Sequence, residues 1–153
     1  MIDSIDHVNL VVADLERVSR FYEDVLGFTR TKHVTISGPW VSATVGLEGV
    51  EAECVYLDLP AGGPRVELLR YVRPAGERPP GMGVANVHGL RHLAFRVTGI
   101  EAMTARLRAA GVKVFSDVQR VPTAQVTYAG GVSKHLVYFH DPEGNLLELC
   151  EYK

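Results

Sequence analysis

The chain repeats itself once, and that repeat constrains its fold more than any other feature. Asp6-His7-Val8-Asn9-Leu10-Val11-Val12 resembles Arg91-His92-Leu93-Ala94-Phe95-Arg96-Val97. Each is a strand-like run that carries a histidine and leads directly into a helical pattern. A second match pairs Val66-Glu67-Leu68-Leu69 with Leu147-Glu148-Leu149-Cys150. The histidines lie 85 residues apart, from 7 to 92, and the glutamates 81 apart, from 67 to 148. Two steps so nearly equal describe one unit written twice.

Within each copy the periodicity changes in the same order. After the first strand, Asp14 is positioned to cap a helix running to about Gly27, with Leu15, Val18, Phe21, Tyr22, Val25 and Leu26 on one apolar face. After the second, Thr98 and Glu101 have the spacing of a capping box, and Ile100, Met103, Leu107 and Ala110 form the stripe before Gly111. Strands are expected near Phe28–Ile36, Cys54–Leu59 and Arg65–Tyr71, and again near Val112–Phe115, Lys134–His140 and Leu146–Glu151. Residues Ser37–Gly49 and Pro122–Gly131 read as irregular loops over a site. The expectation is an α+β protein, a βαβββ module written twice in one domain over residues 1–153. Module 1 covers about residues 1–72, a Pro/Gly-rich linker 73–88, and module 2 residues 89–153.

Side chains on a strand alternate between faces. Val8, Leu10 and Val12 therefore oppose His7 and Asn9, while Leu93, Phe95 and Val97 oppose His92, Ala94 and Arg96. Val66 and Leu68 oppose Glu67, and Leu147 and Leu149 oppose Glu148. In all four places an apolar face suits packing on helices, and the other face carries one histidine or glutamate. If the polar faces share one cup, two imidazoles and two carboxylates converge on its floor, a donor set suited to a first-row divalent ion. Such an ion also offsets the cost of burying two carboxylates together. The plainer alternative is a hydrogen-bonded structural histidine in each strand and glutamates paired with Arg65, Arg70 or Arg96. The coincidence of four such residues at equivalent points favours the metal.

His33, His88, His135 and His140 have no partner in the repeat, although His88 and His140 flank loops. Cys150 shares the face of Glu148. Cys54 and Cys150 read as reduced, buried thiols of a cytoplasmic protein, and the acidic start of the chain lacks the bases of a targeting peptide. No apolar run approaches the roughly 20 residues of a membrane span. A net charge of −2 with dispersed Lys and Arg gives no surface for nucleic acid.

Four stretches also resemble a known family. They are Ile5-Asp6-His7-Val8 with Phe21-Tyr22-Glu23-Asp24-Val25-Leu26-Gly27, Gly89-Leu90-Arg91-His92-Leu93-Ala94-Phe95, and Asp141-Pro142-Glu143-Gly144-Asn145-Leu146-Leu147-Glu148-Leu149. Together they are similar to the vicinal oxygen chelate superfamily, which includes glyoxalase I, methylmalonyl-CoA epimerase, extradiol dioxygenases and antibiotic-binding proteins. The resemblance implies paired βαβββ modules forming a half-open barrel, and His7, Glu67, His92 and Glu148 as ligands of one divalent ion (Zn, Ni, Co, Mn or Fe). It implies proton abstraction next to the carbonyl of a small substrate, with Glu148 as first candidate for the base and Glu67 as second. Asn9 and Arg96 are candidate substrate contacts, and Trp40, Val126 and Tyr128 a candidate apolar wall. Glu48 is a weaker candidate for an additional base. Two alternative chemistries remain: an Fe(II) dioxygenase and a non-catalytic small-molecule binder. A homodimer is expected by analogy.

Overall fold

A computed structural model describes all residues, Met1–Lys153, which fall into two units, Met1–Arg78 and Pro79–Lys153. In the first unit, β1 (His7–Val11) leads to α1 (Leu15–Arg20), then β2 (Thr29–Ser37), α2 (Pro39–Val45), β3 (Glu51–Asp58) and β4 (Arg65–Arg73). Asp14 caps α1 as its sequence suggests: its Oδ1 accepts the Arg17 N–H at 3.0 Å. The helix continues as a π-helical turn, Phe21–Val25, which keeps Phe21 and Tyr22 buried. The sheet runs β1-β4-β3-β2, with β1 and β4 parallel and the other pairs antiparallel. Its outer strand β2 breaks register between Arg30 and Lys32.

The second unit repeats this plan with β5 (His92–Arg96), α3 (Ile100–Ala109), β6 (Gln119–Arg120), β7 (Lys134–His140) and β8 (Leu146–Tyr152). Its sheet runs β5-β8-β7-β6, the same order and the same strand senses as the first. Two βαβββ-like modules are therefore present, each with its own core. Val18, Tyr22, Val55, Leu57 and Leu68 are fully buried in the first, and Ile100, Leu107, Phe139, Leu147 and Leu149 in the second. Burying each of these side chains contributes about 1.5–3 kcal/mol; for those on strands this fixes the register, because a slip of one residue would turn Val55, Leu57 and Leu68, or Phe139, Leu147 and Leu149, to the opposite face.

Three local expectations are corrected. Ser37–Gly49 is not an irregular loop but contains α2, started by Pro39, stopped at the left-handed Gly46 and anchored by buried Val41. Val112–Phe115 is not a strand: only Val114 bridges to Phe139. Ser116 and Arg108 bind nearby backbone carbonyls and Arg108 also takes the Asp117 carboxylate, so the chain leaves the ladder and rejoins it at β6. The capping box at Thr98 and Glu101 does not form. Gly99 is the cap, at φ +78°, and the Glu151 carboxylate of β8 accepts from Gly99 N–H at 2.7 Å and Ile100 N–H at 3.1 Å. Glu101 pairs instead with Lys153.

In the second unit, the chain preceding β5 is fastened at Gly83, whose carbonyl accepts from His140 Nε2 at 2.9 Å. The His140 ring also meets Phe115 edge to face. No helix is long and apolar enough to cross a membrane.

Candidate metal centre

The alternation read from sequence holds in both sheets. Val66 and Leu68 are buried against the first unit's core while Glu67 turns to the other face. On that face the His7 imidazole and the Glu67 carboxylate approach to 3.6 Å, Nε2 to Oε2. The other ring nitrogen of His7, Nδ1, lies 2.9 Å from Asp6 Oδ2. A carboxylate behind a histidine fixes its tautomer and leaves Nε2 as the free donor atom, the usual support for a metal-binding imidazole. Asn9 stands opposite Glu67 in the β1–β4 register, and Tyr56 stands opposite it from β3. Arg65 Nη1 lies 4.0 Å from Glu67 Oε1. The Glu67 charge, with burial second, pushes the Tyr56 phenol above its ordinary value. Burial first and Glu67 second push the Cys54 thiol up to about 11.

The second unit builds the same arrangement more tightly. His92 Nε2 and Glu148 Oε2 are 3.2 Å apart, and the Glu148 side chain is only 3% exposed. Ala94 and Tyr138 flank Glu148 as Asn9 and Tyr56 flank Glu67. The tilted Tyr138 ring lies 5.0 Å from the His92 ring. Lys134 Nζ stands 2.6 Å from Glu148 Oε1, though off the line of a hydrogen bond, so the contact is an ion pair. Burial alone would depress this ammonium; contact with Glu148 outweighs it and holds Lys134 above the ordinary lysine value. The Tyr138 phenol is raised by burial and then by the Glu148 charge. Arg96 pairs in register with Cys150 and lays its guanidinium 5.3 Å from the centre of the Tyr152 ring.

The donors fit a metal in kind and spacing. Two ligands held at 2.0–2.1 Å around one tetrahedral ion lie about 3.3 Å from each other, close to the 3.2 and 3.6 Å of the two pairs. The buried Glu148 carboxylate is already matched on its Oε1 side by the Lys134 ammonium, which leaves Oε2 facing His92. Each unit brings one histidine to one glutamate, and no group of three or more His, Cys, Asp and Glu side chains able to hold a metal ion is assembled.

Trp40 lies on α2, 61% exposed. Tyr128 packs edge-on to Tyr152, beside the 3-10 turn Ala129–Gly131, and Val126 is exposed. Glu48 lines a separate open cleft along α2, of about 580 Å³. His88 is exposed, and His140 serves the Gly83 fastening. Residues missed in the sequence are Tyr56, Tyr138 and Lys134. The tyrosines had a signal: Val55-Tyr56 and Val137-Tyr138 recur 82 residues apart.

Comparison with known proteins agrees with this fold. A family model described as Glyoxalase/Bleomycin resistance protein/Dioxygenase superfamily matches residues 4–149. The uncharacterized protein YaeR of Escherichia coli K12 is 32% identical over 148 residues, covering 96% of this chain and 95% of its own. The mitochondrial methylmalonyl-CoA epimerase of Mus musculus is 29% identical, covering 95% of this chain and 71% of its own. Among solved structures, a glyoxalase family protein from Bacillus cereus superposes with a TM-score of 0.83 at 26% identity, covering 99% of this chain and 95% of its own.

Proposed function

Because this chain belongs to the Glyoxalase/Bleomycin resistance protein/Dioxygenase superfamily, we propose that it is a divalent-metal-dependent isomerase, epimerase or lyase that removes a proton next to the carbonyl group of a small substrate. The observation that carries this reading is the recurrence of one His–Glu pair at the equivalent place of both modules, at 3.6 and 3.2 Å. The mouse epimerase among its relatives belongs to the same reaction class.

His7, Glu67, His92 and Glu148 are the residues that would hold the ion. A Zn, Ni, Co, Mn or Fe ion, when bound, supplies Lewis acidity that lowers the cost of the negative charge left after deprotonation. The remaining work belongs to the chain. Glu148 is the first candidate to accept the proton and Glu67 the second. Two carboxylates acting on opposite faces of a planar carbon permit epimerisation, or return of the proton at a neighbouring carbon. Asn9, beside Glu67, and Arg96, whose guanidinium rests on Tyr152, are the candidate substrate contacts. Arg96 suits a carboxylate or phosphate on the substrate.

Elemental analysis of the purified protein tests the reading, beside a His7→Ala/His92→Ala double variant. About one transition metal per chain, lost in the variant, is expected. Glu67→Ala should also lose metal affinity; unchanged affinity would favour a two-histidine, one-carboxylate Fe(II) site instead. No metal, even after reconstitution, sinks the catalytic reading and leaves a small-molecule binder.

A further inference from the structure

The two halves are duplicates, yet they treat their carboxylates differently. Glu67 is 13% exposed, and its nearest cation, Arg65, lies 4.0 Å away and is equally close to Asp58. Glu148 is 3% exposed and has the Lys134 ammonium at 2.6 Å. Lys134 starts far from its partner: it stands opposite Tyr152 on β8, four residues along the strand from Glu148, so its side chain must reach back along the sheet. Holding a lysine extended costs rotamer entropy, and the buried charge at its end makes the contact stronger than an exposed pair. The equivalent position in the first module, opposite Tyr71 on β4, is Ala52, which has no such reach.

The contact also divides the carboxylate. Oε2 faces His92 Nε2 at 3.2 Å, whereas Oε1 faces Lys134 Nζ at 2.6 Å. One oxygen is thus turned to the imidazole and the other is engaged by a positive charge. We infer that Lys134 is a positioning residue for the candidate metal centre: it reserves Glu148 Oε1, leaves Oε2 as the one oxygen offered beside His92, and weakens the hold of this pair on a dication. The inference rests on the metal reading above. It assigns to one module a restraint that the other lacks, so the duplicated pairs are unequal donors: Glu67 can turn both oxygens to a cation, and Glu148 only one.

Removing the ammonium should release both effects. An extra positive charge so close to a donor oxygen opposes any second cation there, and an apolar replacement frees Oε1 to join Oε2. The test uses the whole chain and Co(II) alone, followed by calorimetric titration and by the visible spectrum of the bound ion, which weakens as donor oxygens are added to a four-coordinate centre. Lys134→Met is expected to bind Co(II) at least about tenfold more tightly than the natural chain, with a weaker visible band. Lys134→Arg, whose guanidinium can still engage Oε1, should restore the natural affinity and band. Lys134→Gln offers Oε1 an N–H donor in place of the charge; it should bind more tightly with the band unchanged, and it carries the test if the methionine variant fails to fold.

Affinity equal to or weaker than that of the natural chain in Lys134→Met, or in Lys134→Gln when only that variant folds, overturns the inference. If such a result accompanies Co(II) binding that His92→Ala abolishes, the metal reading survives. Absence of Co(II) binding in the natural chain and in every variant overturns both.

Discussion

Gly83→Ala isolates the fastening of the chain ahead of β5. Gly83 has φ +84°, a conformation that costs an L-residue about 1–2 kcal/mol. A Cβ there would fall 2.3 Å from the Gly144 carbonyl oxygen and 2.9 Å from His140 Nε2. The first neighbour is backbone, so the strap must shift, and the shift breaks the His140–Gly83 hydrogen bond, worth about 0.5–1.5 kcal/mol. Together these come to about 1.5–3.5 kcal/mol. Gly130→Ala is the control: Gly130 has φ +77°, but a Cβ there meets nothing within 4 Å, so only the conformational cost applies. The neighbouring Val84 and Val87 are exposed and held by single turn hydrogen bonds. The strain should therefore be relieved by local detachment rather than by global unfolding. Hydrogen exchange followed by mass spectrometry is expected to show residues 81–87 exchanging roughly a hundredfold faster, with β7 and β8 unchanged. Exchange in 81–87 identical in Gly83→Ala and Gly130→Ala would refute the argument from the Gly144 and His140 contacts.

Three further outcomes follow from the cores and the ionisable groups. Leu147→Ala should destabilise the protein by about 2–5 kcal/mol in denaturant titration, because Leu147 is 1% exposed and opens a cavity in the second core; a loss below about 1 kcal/mol would contradict that packing. The backbone N–H groups of Gly99 and Ile100, with Lys153 third, hold Glu151 at a pKa of about 2 against an ordinary 4.5. Its stabilisation is complete above pH 4.5 and is lost as pH falls toward 2, so the melting-temperature gap to Glu151→Gln should be constant at neutral pH and close across that window. Cys54, buried and with its thiol raised to about 11, should resist disulfide reagents at pH near 8 until denaturant is added; rapid labelling of the folded chain would refute its burial.

The parts of the structure legible in the sequence are those encoded by local pattern. β7 occupies the expected Lys134–His140, bounded by Gly130-Gly131 and Asp141-Pro142, and Asp14 caps α1 through its own following turn. The His–Glu pairs were legible because the repeat marks equivalent places without any knowledge of contacts. What was missed depends on residues distant in sequence or on very short elements. Glu151 replaces a local capping box from 52 residues away. α2 lies between Gly38-Pro39 and Gly46, so its seven residues read as punctuation. Lys134 looks like an ordinary polar strand residue until its side chain, starting opposite Tyr152, is seen to reach back along the sheet to Glu148.

The shift of register in β2 has a consequence for the molecule as a colloid. Thr29–Ser37 is a nine-residue outer strand, long enough to template a strand from another chain. Between Arg30 and Lys32 its ladder is interrupted, and the exposed Lys32 ammonium stands at the break, while Arg30 is ion-paired with Glu16 and Glu23. A foreign strand aligning here finds no continuous run of hydrogen-bonding partners and meets repulsion if it carries the same charge. Protection against fibril growth at this border therefore resides in a local irregularity, and a sequence that regularised it with apolar residues would gain a smoother sheet together with a nucleus for aggregation.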